Sequence, residues 1–184
     1  MPPKAKYTKQ QITDVAYELV RKQGKDALSA RSLAAELGTS TAPIFTAFSS
    51  IDELLCEVRE RAARLYAEYA SRVPDGVPKF KAAGLGYIRF AKEEPQLFKL
   101  LFMCSDDEQT HYFPAKYEYE PLVRGHVEEY GYDSERARRI YNHMSVYAHG
   151  LAVMYAQGQC IFCDEDVDRM LSELFAALTK GEKI

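Results

Sequence analysis

The chain of 184 residues predicts an all-α fold, and three observations carry that reading. Apolar residues recur every three or four positions along nearly the whole length, and no alternating apolar–polar stretch competes with them. Helix-start signals, a hydroxyl followed three residues later by Gln or Glu, stand at Thr8–Gln11 and Ser50–Glu53. The stretch Ser29 to Leu55, SARSLAAELGTSTAPIFTAFSSIDELL, reads as two short helices joined by a tight turn, then the start of a third, longer one.

Taken in order, the first helix opens at the Thr8 box, buries Ile12, Val15, Ala16, Leu19 and Val20, and closes on Gly24. The next carries Leu33, Ala34 and Leu37 on one face. Gly38 follows where the chain must turn left-handed, which only glycine does without a Cβ clash. Ser40 is placed to cap a further short helix with Ile44, Phe45 and Phe48 as its apolar side. Pro43 falls in its first turn, where a missing N–H has no intrahelical partner to lose. Small Ala34, a four-residue step to glycine and then a hydroxyl cap form the pattern of a helix-turn-helix. An ordinary helical hairpin is the competing reading.

Ser50 and Glu53 then open a long helix through Leu54, Leu55, Val58, Ala62, Leu65, Tyr66 and Tyr69, which stops at Val73 before Pro74-Asp75-Gly76. Phe80, Ala83, Tyr87, Ile88 and Ala91 continue the helical spacing as far as Glu94, which the following Pro95 pushes out of the α region. Gln96–Met103 is a short, very apolar helix and Cys104–Tyr112 a polar, acidic loop. A helix is expected over residues 115–130. Asp133 caps another running to about Gln159, and Asp164 or Asp166 caps a last one ending near Lys180.

Composition narrows the classes of function. No apolar run approaches the ~20 residues that span a bilayer, and MPPKAKYTKQQ is polar and basic, unlike a secretory signal. Four cysteines without such a signal fit a reducing cytoplasm better than a disulfide scaffold. Residues 1–50 hold 7 Lys and Arg against 4 Asp and Glu, whereas residues 51–184 hold 17 against 23. A basic head on an acidic body suits a small module that meets a polyanion.

Signals for catalysis and metals are weak. Cys160-Ile-Phe-Cys163 has ligand-type spacing, but no second pair or histidine cluster accompanies it, so a metal site, a redox pair and inert thiols all stand as readings. His111, His126, His143 and His149 lack the spacing of a zinc hydrolase. Gly84-Leu-Gly86 lies inside a helix rather than in a phosphate loop. No cofactor is expected, and an enzyme is the weaker class.

Two stripes run along residues 133–159. One is Ala137, Tyr141, Met144, Ala148, Leu151, Tyr155, Gly158; the other is Ile140, His143, Tyr147, Gly150, Met154. Two stripes on one helix imply two buried faces. With Met170, Leu171, Leu174, Phe175 and Leu178 on the final helix, they predict a two-fold four-helix interface in a homodimer built on Met144, Ala148, Leu151 and Tyr155. The competing reading makes the first of these helices the centre of a monomeric bundle.

This arrangement resembles the TetR family of transcriptional regulators. LSARSLAAELGTSTAPIFTAFSSIDELL follows that family's order of helix, glycine turn, recognition helix, Phe and capped fourth helix. GYIRFAKEEPQLFKLLF is similar to the helix–Pro–helix junction of many members, and YAHGLAVM to their dimer helix. The likeness covers most of the chain, strongly over residues 8–60. It implies a three-helix DNA-binding domain over 1–49 and a helical effector-binding and dimerisation domain over 50–184. The family commonly has Tyr where this chain has Phe45 and Lys where it has Ile51, and both of those residues touch DNA phosphates.

The expected partners are double-stranded operator DNA, a small-molecule effector and a second copy of the chain, with no membrane. The recognition helix would enter the major groove with Thr41, Ala42, Thr46 and Ala47 facing out and Ser40 at its start. Ser29, Arg31, Thr39 and Ser40 would position phosphates, and Phe45 stands at the phosphate-contact position. Lys4, Lys6 and Lys9 either reach a neighbouring groove or form a solvated tail. An aromatic set with a few polar ends, Tyr66, Tyr69, Tyr87, Phe90, Phe98, Phe102, Met103, Tyr117, His143 and Tyr147, is the candidate lining for a mainly apolar effector, though any one of these could be plain core. A helical binding protein without DNA recognition remains the second reading.

Overall fold

The structure, a computed structural model, describes residues 7–72, 77, 79–103, 125 and 130–180. The helices are α1 (Lys9–Gln23), α2 (Ala30–Glu36), α3 (Ala42–Ala47), α4 (Ile51–Ser71), α5 (Lys79–Glu93), α6 (Pro95–Phe102), α7 (Ser134–Ala156) and α8 (Asp164–Lys180), with a 3₁₀ turn at Lys25–Ala27. No strand occurs among the described residues, and none of their helices is long and apolar enough to cross a membrane. Two compact units form. One holds the described residues through Leu65 together with Gln96–Met103; the other holds Tyr66–Pro95 and the described residues from Gly125 onward.

In the first unit the start and stop signals work as the sequence predicts. The Thr8 hydroxyl accepts the Gln11 N–H while the Gln11 side chain takes the Thr8 N–H, closing a capping box on α1. Gly24 ends that helix at φ 86°. A Cβ there would meet Gln96 Oε1 at 2.9 Å, so α6 lies close against the turn. Ile12, Ala16, Val20, Leu33, Ile44, Phe48, Leu54, Val58, Leu97, Phe98 and Leu101 form the buried core of this unit. Outside the core, Arg61 on α4 pairs with Asp14 on α1 and stacks 4.2 Å over the Tyr17 ring.

The long helix starts one hydrogen bond differently from a standard capping box. Ser50 Oγ accepts the Glu53 N–H at 3.1 Å, but the Glu53 carboxylate reaches one residue further back, to the N–H and hydroxyl of Ser49, both at 2.7 Å. These bonds, with Lys9, hold the Glu53 carboxyl down at about 2.

In the second unit α5 packs along α7, and α7 along α8. The Asp133 carboxylate caps α7 by accepting the Arg136 N–H at 2.9 Å. Two ion pairs tie α5 to α8: Lys81 with Asp168 and Lys92 with Asp164, each at 2.7 Å. The start of α8 differs from expectation. Neither Asp164 nor Asp166 precedes the helix; Cys163 does, and its N–H and thiol both point to the Asp166 carboxylate. An acid at the third helical position reaching back does the work expected of an acid at the cap. The helix expected over 115–130 falls mainly outside the described residues.

Candidate functional site

The turn between α2 and α3 sets the geometry of the first candidate site. Ser29 Oγ accepts the Ser32 N–H, and Ser32 Oγ in turn accepts the Ser29 N–H, a reciprocal cap at the start of α2. At the other end Gly38 takes φ 61°, its N–H bonding the Ala35 carbonyl at 3.1 Å while the Thr39 N–H bonds that of Ala34 at 2.9 Å. This 6→1, 5→2 pair is a Schellman turn, which reverses the chain within three residues. The Tyr7 hydroxyl donates to the Leu37 carbonyl at 2.5 Å and ties the residues just before α1 to this turn. Ala34, Ile44 and Phe48 are buried beneath it.

The start of α3 departs from the expected Ser40 cap. Its N-cap is Thr41, already in the α region and without a side-chain cap bond, and Pro43 lies in the first turn. Ser40 is therefore part of the turn. With Ile44 and Phe48 turned inward, α3 presents Ala42, Phe45 and Thr46 outward, three exposed positions on one face, with exposed Thr41 immediately before them. Phe45 stands 52% exposed, the opposite of the apolar core role its spacing suggested. Ala47, expected to face out, is half-buried.

Among the positions expected to touch phosphate, Ser29, Arg31 and Ser40 are exposed and Thr39 is half-buried. Lys9 is engaged elsewhere: its ammonium lies 3.3 Å from both Glu53 and Glu57 and 4.7 Å from the centre of the Phe48 ring. Those carboxylates raise its pKa. Lys4 and Lys6 lie outside the described residues.

Four of the expected effector residues come together in the second unit. Tyr66 meets Tyr87 edge-on at 5.9 Å and Phe90 at 5.5 Å, and Tyr69 meets Phe90 at 5.4 Å. All four rings are buried. Each chain of rings ends in a polar contact. The Tyr69 hydroxyl donates to Glu93 at 2.6 Å, and burial together with that carboxylate pushes its pKa up to about 12. The Tyr87 hydroxyl meets His149 Nδ1 at 2.8 Å. His149 lies 62 residues from Tyr87 in sequence, a separation no helical period reports. The other expected residues are distributed as follows. Phe98 and Phe102 pair with each other in the first unit at 5.0 Å, Met103 and His143 are exposed, and Tyr147 is half-buried. Tyr117 lies outside the described residues.

The α7 stripes sort differently from expectation. Met144, Ala148 and Leu151, together with Leu171 on α8, are buried within the chain itself, because this stripe faces the neighbouring helices. These four serve the chain's own core. Tyr155 is half-buried, its hydroxyl donating to the Phe162 carbonyl at 2.7 Å. Of the second stripe Ile140 is buried, while His143 and Gly150 are exposed and Tyr147 and Met154 half-buried; Val146 beside them is 69% exposed. On α8, Met170, Leu174, Phe175 and Leu178 are half-buried.

No group of three or more His, Cys, Asp or Glu residues able to hold a metal occurs among the described residues. A shallow groove between α5 and the start of α8 is lined by Leu85, Ile88, Arg89, Lys92, Glu93, Asp164 and Val167, none of them an expected effector residue.

Two family models match the chain. Residues 12–58 match the family model described as bacterial regulatory proteins, tetR family. Residues 80–178 match the model of the tetracyclin repressor-like C-terminal domain. Among solved structures, a TetR-like transcriptional regulator from Rhodococcus sp. RHA1 is similar at a TM-score of 0.67 and 17% identity, covering 94% of this chain and 96% of that one. A single-substitution variant of TetR from Acinetobacter baumannii AYE, solved in complex with minocycline, is similar at 0.58 and 19% identity, covering 95% and 98%. NalD, the secondary repressor of the MexAB-OprM multidrug efflux pump in Pseudomonas aeruginosa, is similar at 0.55 and 15% identity, covering 96% of each chain. At these identities the likeness is one of fold. No curated protein matches the sequence.

Proposed function

Because this chain belongs to the tetR family of bacterial regulatory proteins, we propose that it is a ligand-responsive transcriptional repressor that acts as a homodimer on operator DNA in the cytoplasm. The observation that carries this is the reading head itself: α2, the Gly38 turn and α3, with Ile44 and Phe48 inward and Ala42, Phe45 and Thr46 outward. That is the form in which a short helix enters a major groove. Residues 1–49 make up the head and residues 50–184 the effector and dimerisation part. Ser29, Arg31, Thr39 and Ser40 flank the reading face and position it on phosphates.

Regulation needs a ligand that binds one arrangement of the two heads better than the other. The aromatic cluster of Tyr66, Tyr69, Tyr87 and Phe90 supports a flat, mainly apolar effector, and the Acinetobacter relative was solved with minocycline bound. Tyr66 and Tyr69 lie on α4, which begins beside the reading head at Ile51, so a ligand at these rings acts on a helix continuous with the head. Binding that moves the two recognition helices away from the ~34–36 Å spacing of one DNA turn would release the operator.

The test is a gel shift of the full-length protein on the DNA next to its own coding sequence, repeated at rising salt. Retardation that weakens steeply with salt supports the reading. Absence of retardation on that DNA and on a random-sequence duplex pool would leave the chain a helical small-molecule-binding protein.

A further inference from the structure

Resting on the DNA-binding reading above, we infer that the reading head recognises the 5-methyl groups of thymine, and that its half-sites are therefore defined by thymines rather than by guanines.

The outward face of α3 is chemically narrow. Ala42, Phe45 and Thr46 sit at i, i+3 and i+4 and are all exposed. None is an Arg, Lys, Asn or Gln, the side chains whose paired hydrogen bonds read guanine and adenine edges. The one hydroxyl on this triangle is already used. Thr46 Oγ1 donates its proton to the Ala42 carbonyl at 2.9 Å, one turn back on the same helix. It has no proton left for the N7 or O6 acceptors of guanine or the O4 of thymine.

What the triangle leaves outward, beside exposed Thr41, is a methyl from Ala42, a methyl from Thr46 and a phenyl ring from Phe45, the last 52% exposed because Ile44 and Phe48 fill the buried side. The major groove offers one apolar group for such a face, the C5-methyl of thymine. Burying that methyl against Ala, Thr and Phe removes apolar surface from water on both sides, and it discriminates against cytosine, adenine and guanine by what they lack.

The experiment uses the full-length protein and a duplex enriched from a random-sequence double-stranded pool. Within the protected segment, thymines are replaced one at a time by deoxyuridine, which pairs identically and lacks only the methyl; replacements outside that segment serve as the comparison. At the contacted positions affinity should fall about fourfold per methyl, with no change outside. On the protein side, Thr46→Val keeps methyls and removes the hydroxyl, so discrimination between thymine and deoxyuridine should persist. Thr46→Ser keeps the hydroxyl and removes the methyl, so it should shrink, as it should in Phe45→Ala. An enriched duplex that binds equally well with deoxyuridine at every position overturns the inference and leaves the DNA-binding reading standing. Failure to enrich any duplex overturns that reading, and the inference with it.

Discussion

The hydroxyl of buried Tyr87 on α5 lies 2.8 Å from Nδ1 of half-buried His149 on α7, joining two helices of the effector part. Burial holds the His149 pKa below its ordinary 6.5. The unfolded chain accepts a proton near that value and the folded chain resists it. Stability from this site is therefore complete above about pH 6.5 and drains away as the pH falls below it. Thermal unfolding across that range should show the melting temperature dropping on the acid side. His149→Gln, which offers Tyr87 an acceptor that does not titrate, should flatten the drop. Parallel profiles for the two proteins would refute this account.

Two glycines on α5 make a matched pair with opposite expected effects. A Cβ at Gly86 would collide with the Tyr69 carbonyl oxygen and lie 3.2 Å from the Ala70 Cα, so α4 and α5 touch backbone to backbone there. Gly86→Ala must part the helices and should destabilise by about 1–3 kcal/mol. At Gly84 a Cβ meets nothing within 4 Å. Gly84→Ala should stabilise by up to about 1 kcal/mol through helix propensity alone. Urea unfolding of both variants distinguishes them, and a stable Gly86→Ala would mean that the two helices do not approach this closely.

The difference between those glycines marks where sequence reading stops. Local rules were legible in the letters: the Thr8 box, the Gly24 and Gly38 stops and the Asp133 cap are each settled by residues within a few positions of one another. Gly84 and Gly86 differ only in what α4 brings beside them, which no local pattern contains. Helical spacing likewise found both stripes on α7 but could not say which one faces α5. The stripe read as an interface, Met144–Ala148–Leu151, is the one the chain buries for itself. Apolar spacing predicts Phe45 inward, yet Ile44 and the C-cap residue Phe48 already fill the buried side of α3.

For the proposed homodimer, the outward α7 stripe is the face left free to carry the contact. Val146 is 69% exposed in the chain alone, and exposed Gly150 one turn on leaves room for a second helix to approach. Val146→Asp and Gly150→Arg should each shift the protein from dimer to monomer in sedimentation equilibrium while leaving the helix content of the single chain intact. Leu151→Ala should instead cost about 2–5 kcal/mol of folding stability, since that side chain is buried in the protomer. A protein that stays dimeric with both outward substitutions in place assembles through some other face.

Phosphate contact can be weighed residue by residue through salt dependence. Lys9 is held between Glu53 and Glu57, so among the described residues exposed Arg31, in the first turn of α2, is the cation best placed beside the reading face. Each phosphate that a side chain neutralises releases about one counterion, and the slope of log affinity against log salt records the number. Arg31→Ala should make that slope shallower by about one for each head, so by about two for a dimer on its operator. Affinity should fall by a similar factor on every sequence tested, because a phosphate contact carries no base information. Lys9→Ala should leave the slope nearly unchanged and lower the melting temperature, as a residue bridging α1 to α4 would. If instead Lys9→Ala flattens the slope and Arg31→Ala does not, the ion pairs of Lys9 open on DNA and the phosphate contact lies on the α1 side of the head.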